Sequence, residues 1–194
     1  MFDIFSKEGL IPFLYTLPAL VLSLSIHEYA HAWVAYKLGD ISQKIRGRLT
    51  LNPLAHIDPI GFIAIMLIGV GWGKPVTVDD RNFKDSRKGM MLTALAGPAS
   101  NLLLAILVTI ILKLLMVFGV LNTMVNSNVG GITLNMLLYV IQFNIVFGIF
   151  NLIPLPPLDG SKIFLPILPR NAKIWFIQNE QMFYFIFLAI WITG

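Results

Sequence analysis

The chain has 194 residues, 57% of them hydrophobic and only 12% charged, with a mean hydropathy of +0.79. A soluble domain carries about a quarter charged residues, so the composition excludes an ordinary soluble protein and points to a single integral-membrane domain over residues 1–194. The net charge of +4 implies no nucleic acid, because the basic residues sit in loops between apolar runs, and the absence of cysteine excludes disulfides and thiolate metal ligands.

Five apolar segments follow in order. The first, about 10–37, reads as a membrane helix with Pro12 and Pro18 in its N-terminal half. It is too long for the core of a signal peptide, so it is expected to be retained. The second, about 60–72, is short of the roughly 17–25 residues a span needs. Both its flanks are basic, which favours a re-entrant or interfacial element over a full crossing. The third, about 89–118, and the fourth, about 131–153, are long enough to span. The fifth, about 174–194, is interrupted at Gln178–Gln181, and its clean part from Met182 is short. It ends in the membrane, lies at the interface, or marks a truncated sequence.

Basic loops favour the cytoplasm. That rule places 38–56, 74–88 and 159–173 inside and the uncharged 119–130 outside. Alternation of Ile41, Ile45, Leu49 and Leu51 with polar residues suggests a strand, and Pro75–Val78 offers it a partner. The expected fold class is therefore an all-α polytopic membrane protein: a helix bundle of about 4–6 membrane segments with a small membrane-associated β-element.

The first segment contains His27-Glu28-Tyr29-Ala30-His31. Charged residues deep in a membrane helix cost about 2.5–3.5 kcal/mol each on insertion scales, and so mark function. Four residues apart on a helix, His27 and His31 project from one face, one turn apart. That spacing suits two ligands to one Zn²⁺, with Glu28 beside them as general base. The bland alternative is polar packing between helices. A catalytic zinc usually takes three protein ligands, and His56, Asp58 and Asp159 are the candidates for the third. Asp159 closes Asn151-Leu152-Ile153-Pro154-Leu155-Pro156-Pro157-Leu158-Asp159-Gly160, where three prolines should unwind the fourth helix and let a short carboxylate turn toward a neighbour. An ordinary proline stop with a surface aspartate is the competing reading.

His27-Glu28-x-x-His31 combined with this downstream proline-rich Asp-Gly run closely resembles the site-2 protease family of intramembrane zinc metalloproteases, in its compact prokaryotic form without a PDZ domain. Gly97-Pro98-Ala99-Ser100-Asn101 resembles the small-residue motif of that family's middle core helix. Gly71-Trp72-Gly73-Lys74 resembles the G-x-G of its membrane-associated β-element. The resemblance implies zinc held by His27, His31 and Asp159, catalysis by Glu28 and substrate holding by Asn151. The substrate is then a transmembrane protein segment, opened from its helix and bound in extended form, in the lipid of a prokaryotic cell membrane with the active site toward the cytoplasm. His56, Gly71, Gly73, Gly97 and Asn101 are expected to support the site or the packing around it. The alternatives are a membrane metal transporter, which would line several helices with acids and histidines, and a zinc-holding scaffold without proteolysis.

Overall fold

Small and hydroxylated residues decide how the long helices of this chain meet. The computed structural model describes residues 7–68 and 72–193. Helix α1 spans Lys7–Lys37, α4 spans Ser86–Val117 and α6 spans Asn128–Phe150, and these three pack against one another in antiparallel succession. On α1 the buried residues Thr16, Ala19, Ser23, His27 and His31 recur every three or four positions and so form one stripe. Gly97, Asn101, Ala105 and Val108 form the facing stripe of α4, and Val140, Asn144 and Gly148 that of α6. Side chains this small bring helix backbones close, the mode by which helices associate where burial of apolar surface supplies little. Ala19, Val108 and Val140 make the dry part of the core. Hydroxyls on the stripe are satisfied locally: Thr16 Oγ1 donates to the Phe13 carbonyl and Ser23 Oγ to that of Ala19, each at 2.7 Å.

Capping sets the ends. The Asp85 carboxylate accepts from the Lys88 N–H at 3.0 Å to start α4, and Ser127 Oγ accepts from the Gly130 N–H at 3.1 Å to start α6. Between them lies the short helix α5, Val120–Val125, entered through Gly119 at φ +74°. Helix α6 ends at Phe150, just before the prolines, as their chemistry demands. A looped run to Leu158 leads into α7, Asp159–Phe164, which packs on α4. Helices α8, Arg170–Gln178, and α9, Glu180–Thr193, break at Asn179, inside the polar interruption read from the sequence.

Among the described residues, two helices, α4 and α6, are long and apolar enough to cross a membrane on length and composition. The chain is mostly helical and the described residues hold no β-sheet, so the expected β-element is not found as such. Ile41–Leu51 is not a strand: Ser42–Ile45 forms the one-turn helix α2. Asp40 causes this, since its Oδ1 accepts from the Ser42 N–H at 3.1 Å and turns the chain immediately after α1. The stretch 75–78 has no regular secondary structure and bonds to side chains rather than to a partner strand. One isolated antiparallel bridge, Ile57 with Gly73, remains. It ties together the two feet of the excursion that contains α3, Pro59–Ile68. The chain therefore leaves and returns at one end of the bundle, the same end as the α1–α2 turn and the α6–α7 loop.

Candidate metal centre

The two histidines leave α1 on its buried stripe and meet the first residue of α7. His27 Nε2, His31 Nε2 and Asp159 Oδ2 lie 3.0 Å from one another, and all three residues are buried. They are the group of such side chains, among the described residues, able to hold a metal ion. Helix spacing explains the histidines. The aspartate arrives by a tightly closed loop, in which the Gly160 N–H donates to the Asn151 carbonyl at 2.6 Å. A Cβ on Gly160 would strike the carbonyls of Leu152 and Ile153, so only glycine permits this closure. Lys162 Nζ stands 3.8 Å from Asp159 Oδ1, the oxygen turned away from the histidines.

The outer partners require a hydrogen on Nδ1 of both rings. His31 Nδ1 donates to the Thr93 carbonyl at 2.7 Å, because a carbonyl can only accept. His27 Nδ1 lies 2.6 Å from Asn101 Oδ1. The Asn101 amide is oriented in turn: its Nδ2 donates to the Ser23 carbonyl at 3.0 Å and to Asn144 Oδ1 at 2.7 Å, so the oxygen must face the histidine. Asn144 Nδ2 is used as fully, donating to Ser23 Oγ at 2.6 Å and the Val140 carbonyl at 2.7 Å. This buried network spans α1, α4 and α6, and each amide hydrogen in it has an acceptor.

With Nδ1 carrying its hydrogen, each ring in its neutral form presents a lone pair at Nε2. In that form the lone pairs and a carboxylate oxygen crowd together at 3.0 Å. A cation resolves that repulsion, and two imidazoles with one carboxylate suit zinc. Tetrahedral bonds of about 2.0–2.1 Å separate ligand atoms by about 3.3 Å, close to the observed triangle. Gly97 supplies the room. A Cβ there would fall 2.7 Å from His27 Cε1 and 2.6 Å from His31 Cε1, and nearer still to His31 Nε2. The residues present fit the ion.

Glu28 stands beside the trio. Its Oε2 accepts from the Val76 N–H at 3.1 Å. His56 and Asp58 are not brought to the trio. His56 is fully buried, with Nε2 donating to the Thr50 carbonyl at 2.7 Å and no hydrogen-bond partner at Nδ1. Asp58 caps α3, its Oδ1 accepting from the Ile60 and Gly61 N–H groups. Asn151 ends α6 and its Nδ2 donates back to the Phe147 carbonyl at 3.0 Å. Gly73 lets the chain pass close to α1, since a Cβ there would lie 3.0 Å from Leu24 Cδ1. Gly71 lies outside the described residues. Sequence reasoning missed Asn144 and Ser23. The signal was weak: Asn144 is an amide in an uncharged helix of membrane-spanning length, where an unpaired polar group is costly, but Asn135 and Gln142 lie in the same helix.

Comparison with known proteins gives concordant results. The sequence model of Peptidase family M50 matches residues 113–194, which include Asp159. YwhC of Bacillus subtilis, provisionally named a zinc metalloprotease, is 40% identical over 179 residues, 92% of this chain and 80% of that protein. Rip2 of Mycolicibacterium smegmatis, named in the same way, is 27% identical over 93% of this chain and 68% of its own length. The zinc metalloprotease MJ0392 of Methanocaldococcus jannaschii is 28% identical over 78% of this chain and 34% of its own. No solved structure matches the chain.

Proposed function

The chain belongs to peptidase family M50, the site-2 proteases, and from that membership we propose that His27, His31 and Asp159 hold its catalytic zinc and that Glu28 is its general base. The activity is that of a zinc-dependent intramembrane metalloendopeptidase. The observation that carries the residue assignment is the trio of lone-pair-bearing atoms 3.0 Å apart, with both imidazole tautomers fixed from behind.

Bound zinc supplies Lewis-acid polarisation of the scissile carbonyl and makes water acidic enough to attack. The chain's own groups do the rest. Glu28 takes a proton from the attacking water as its oxygen bonds to the carbonyl carbon. The same carboxyl then gives that proton to the amide nitrogen as the C–N bond breaks, releasing a new carboxylate and a new amine. Asn101 and the Thr93 carbonyl hold the rings so that no reorientation is needed during turnover.

We infer that helix α1, 31 residues long and packed along both α4 and α6, crosses the bilayer with them, and that the excursion through α3 enters and leaves on one side. His31 lies six residues before the end of α1, about 9 Å along the axis at 1.5 Å per residue. The site is thus recessed below the membrane surface. The loops at that end carry Lys44, Arg46, Lys74 and Arg170, whereas the α4–α6 connection has no charge. By the positive-inside rule this end faces the cytoplasm. The substrate is a segment of a membrane protein, and Asn151 helps to hold it. Purified chain should contain about one zinc and cut a transmembrane peptide, and Glu28→Gln should keep the zinc and lose the cleavage. Cleavage by Glu28→Gln at the wild-type rate overturns the assignment of the base.

A further inference from the structure

The extended stretch after Gly73 is held on both sides of Val76. On one side the Lys74 N–H donates to the His56 carbonyl at 2.8 Å. Arg48 Nη1 donates to the carbonyls of Ala55, at 2.7 Å, and Lys74, at 3.0 Å, while Nη2 donates to that of Pro75 at 3.2 Å. On the other side Gln43 Nε2 donates to the Thr77 carbonyl at 2.8 Å, and Asp40 Oδ2 accepts from the Asp79 N–H at 3.0 Å. Gln43 and Asp40 are fully buried and Arg48 nearly so.

The Pro75 carbonyl and the Val76 N–H belong to one planar trans peptide unit, so they point in opposite directions. Arg48 grips the oxygen of that unit and Glu28 receives its hydrogen. The angle at which the guanidinium holds the carbonyl therefore sets the direction of the N–H. A cation on the oxygen and an anion at the hydrogen also polarise the amide in the same sense, which strengthens both bonds. Glu28 Oε2 is thus engaged, and Oε1 is the oxygen turned over to proton transfer. All three acceptors of Arg48 are backbone carbonyls, a pattern suited to a fork of fixed geometry rather than to a simple counter-ion.

We propose that Arg48 is a positioning residue for the base, acting through the Pro75–Val76 peptide to orient the Glu28 carboxylate. This rests on the assignment of Glu28 made above.

The test uses the zinc-loaded full chain and a transmembrane peptide that it cleaves. Replacing Val76 by α-hydroxyvaline swaps the amide for an ester, which deletes the N–H and weakens the Pro75 carbonyl as an acceptor, so both changes fall on the one peptide unit that links Arg48 to Glu28. It should lower kcat at least tenfold, leave KM within about twofold, and leave zinc content at one. Arg48→Lys should lower kcat similarly with unchanged KM, because an ammonium cannot reproduce the fork. Combining the two should cost no more than about twofold beyond either alone, since they act through one bond. Unchanged kcat in the ester, a loss confined to KM or zinc content, or fully multiplicative losses in the combined variant would each overturn the proposal. Glu28→Gln, run alongside, separates the failures: wild-type cleavage by that variant removes the base itself, whereas its inactivity beside a fully active ester removes only the role of Arg48.

Discussion

Gly97→Ala adds one methyl group, at the point where α4 presses on the two histidines. In an exposed helix the change from glycine to alanine stabilises by about 0.8–1 kcal/mol. Here the sign reverses. The new carbon would lie 2.6 Å and 2.7 Å from the Cε1 atoms of His31 and His27, against the roughly 3.5–4.0 Å of an ordinary carbon contact. Neither ring can retreat freely, because Nδ1 of each is tied to α4 itself, through Thr93 and Asn101. Relief requires α1 and α4 to part or a ring to leave its bond. Overpacking of this kind costs about 1–3 kcal/mol, which corresponds to a zinc affinity weaker by about 5- to 150-fold. Competition with a chromogenic chelator measures it, and cleavage at saturating zinc should also fall. Gly131→Ala is the matched control. It lies on α6 with open space where its Cβ would go, and should bind zinc as the wild type does. Wild-type zinc affinity in Gly97→Ala would refute the reasoning.

Asp159→Asn should weaken zinc binding at least tenfold while His56→Ala retains stoichiometric metal, read by metal analysis after dialysis; the reverse order would make His56 the third ligand. Asn144→Leu leaves the Asn101 amide and Ser23 Oγ each short of a partner in a dry interface, at about 1–3 kcal/mol per unsatisfied group. Lower thermal stability and about 10- to 100-fold weaker zinc binding should follow, although Asn144 touches no ligand atom. Burial works against the charge of Asp40, but hydrogen bonds from Ser42, Asp79 and Gln43 outweigh it and hold its carboxyl below the ordinary range. Its folded pKa is thus depressed. The stability it contributes is fully present above the unfolded value of about 4 and is lost as pH falls through the folded value. Thermal melts from pH 5 downward should show this loss in the wild type and a shallower one in Asp40→Asn.

The parts of the site written in local spacing were legible. Two histidines four residues apart share a helix face whatever surrounds them, and three prolines stop a helix wherever they fall, which set the end of α6 and the loop to Asp159. The partners that act across helices were harder to read. Asn144 lies 43 residues from Asn101, and nothing in either neighbourhood shows that one amide completes the other. Thr93 contributes a backbone carbonyl, which carries no side-chain signature. Residues 41–51 misled because an apolar residue at Ile41 and again at Ile45 suits one turn of helix as well as a strand. The turn closed by Asp40 Oδ1 on the Ser42 N–H decided between them. The stretch 75–78 was expected to pair with that strand; side chains from α1 and from the α1–α3 connection took its place.

The amide network behind His27 has a consequence for traffic into the enzyme. Asn101 bonds to α1 at Ser23 and His27 and to α6 at Asn144, and Asn144 returns to α1 at Ser23. The three helices are riveted in register at this level. Sliding or parting any pair strands at least two polar groups in a medium with no water to receive them. Parting α1, α4 and α6 is therefore a costly way to admit a substrate, and the site keeps its geometry best when that seam stays closed.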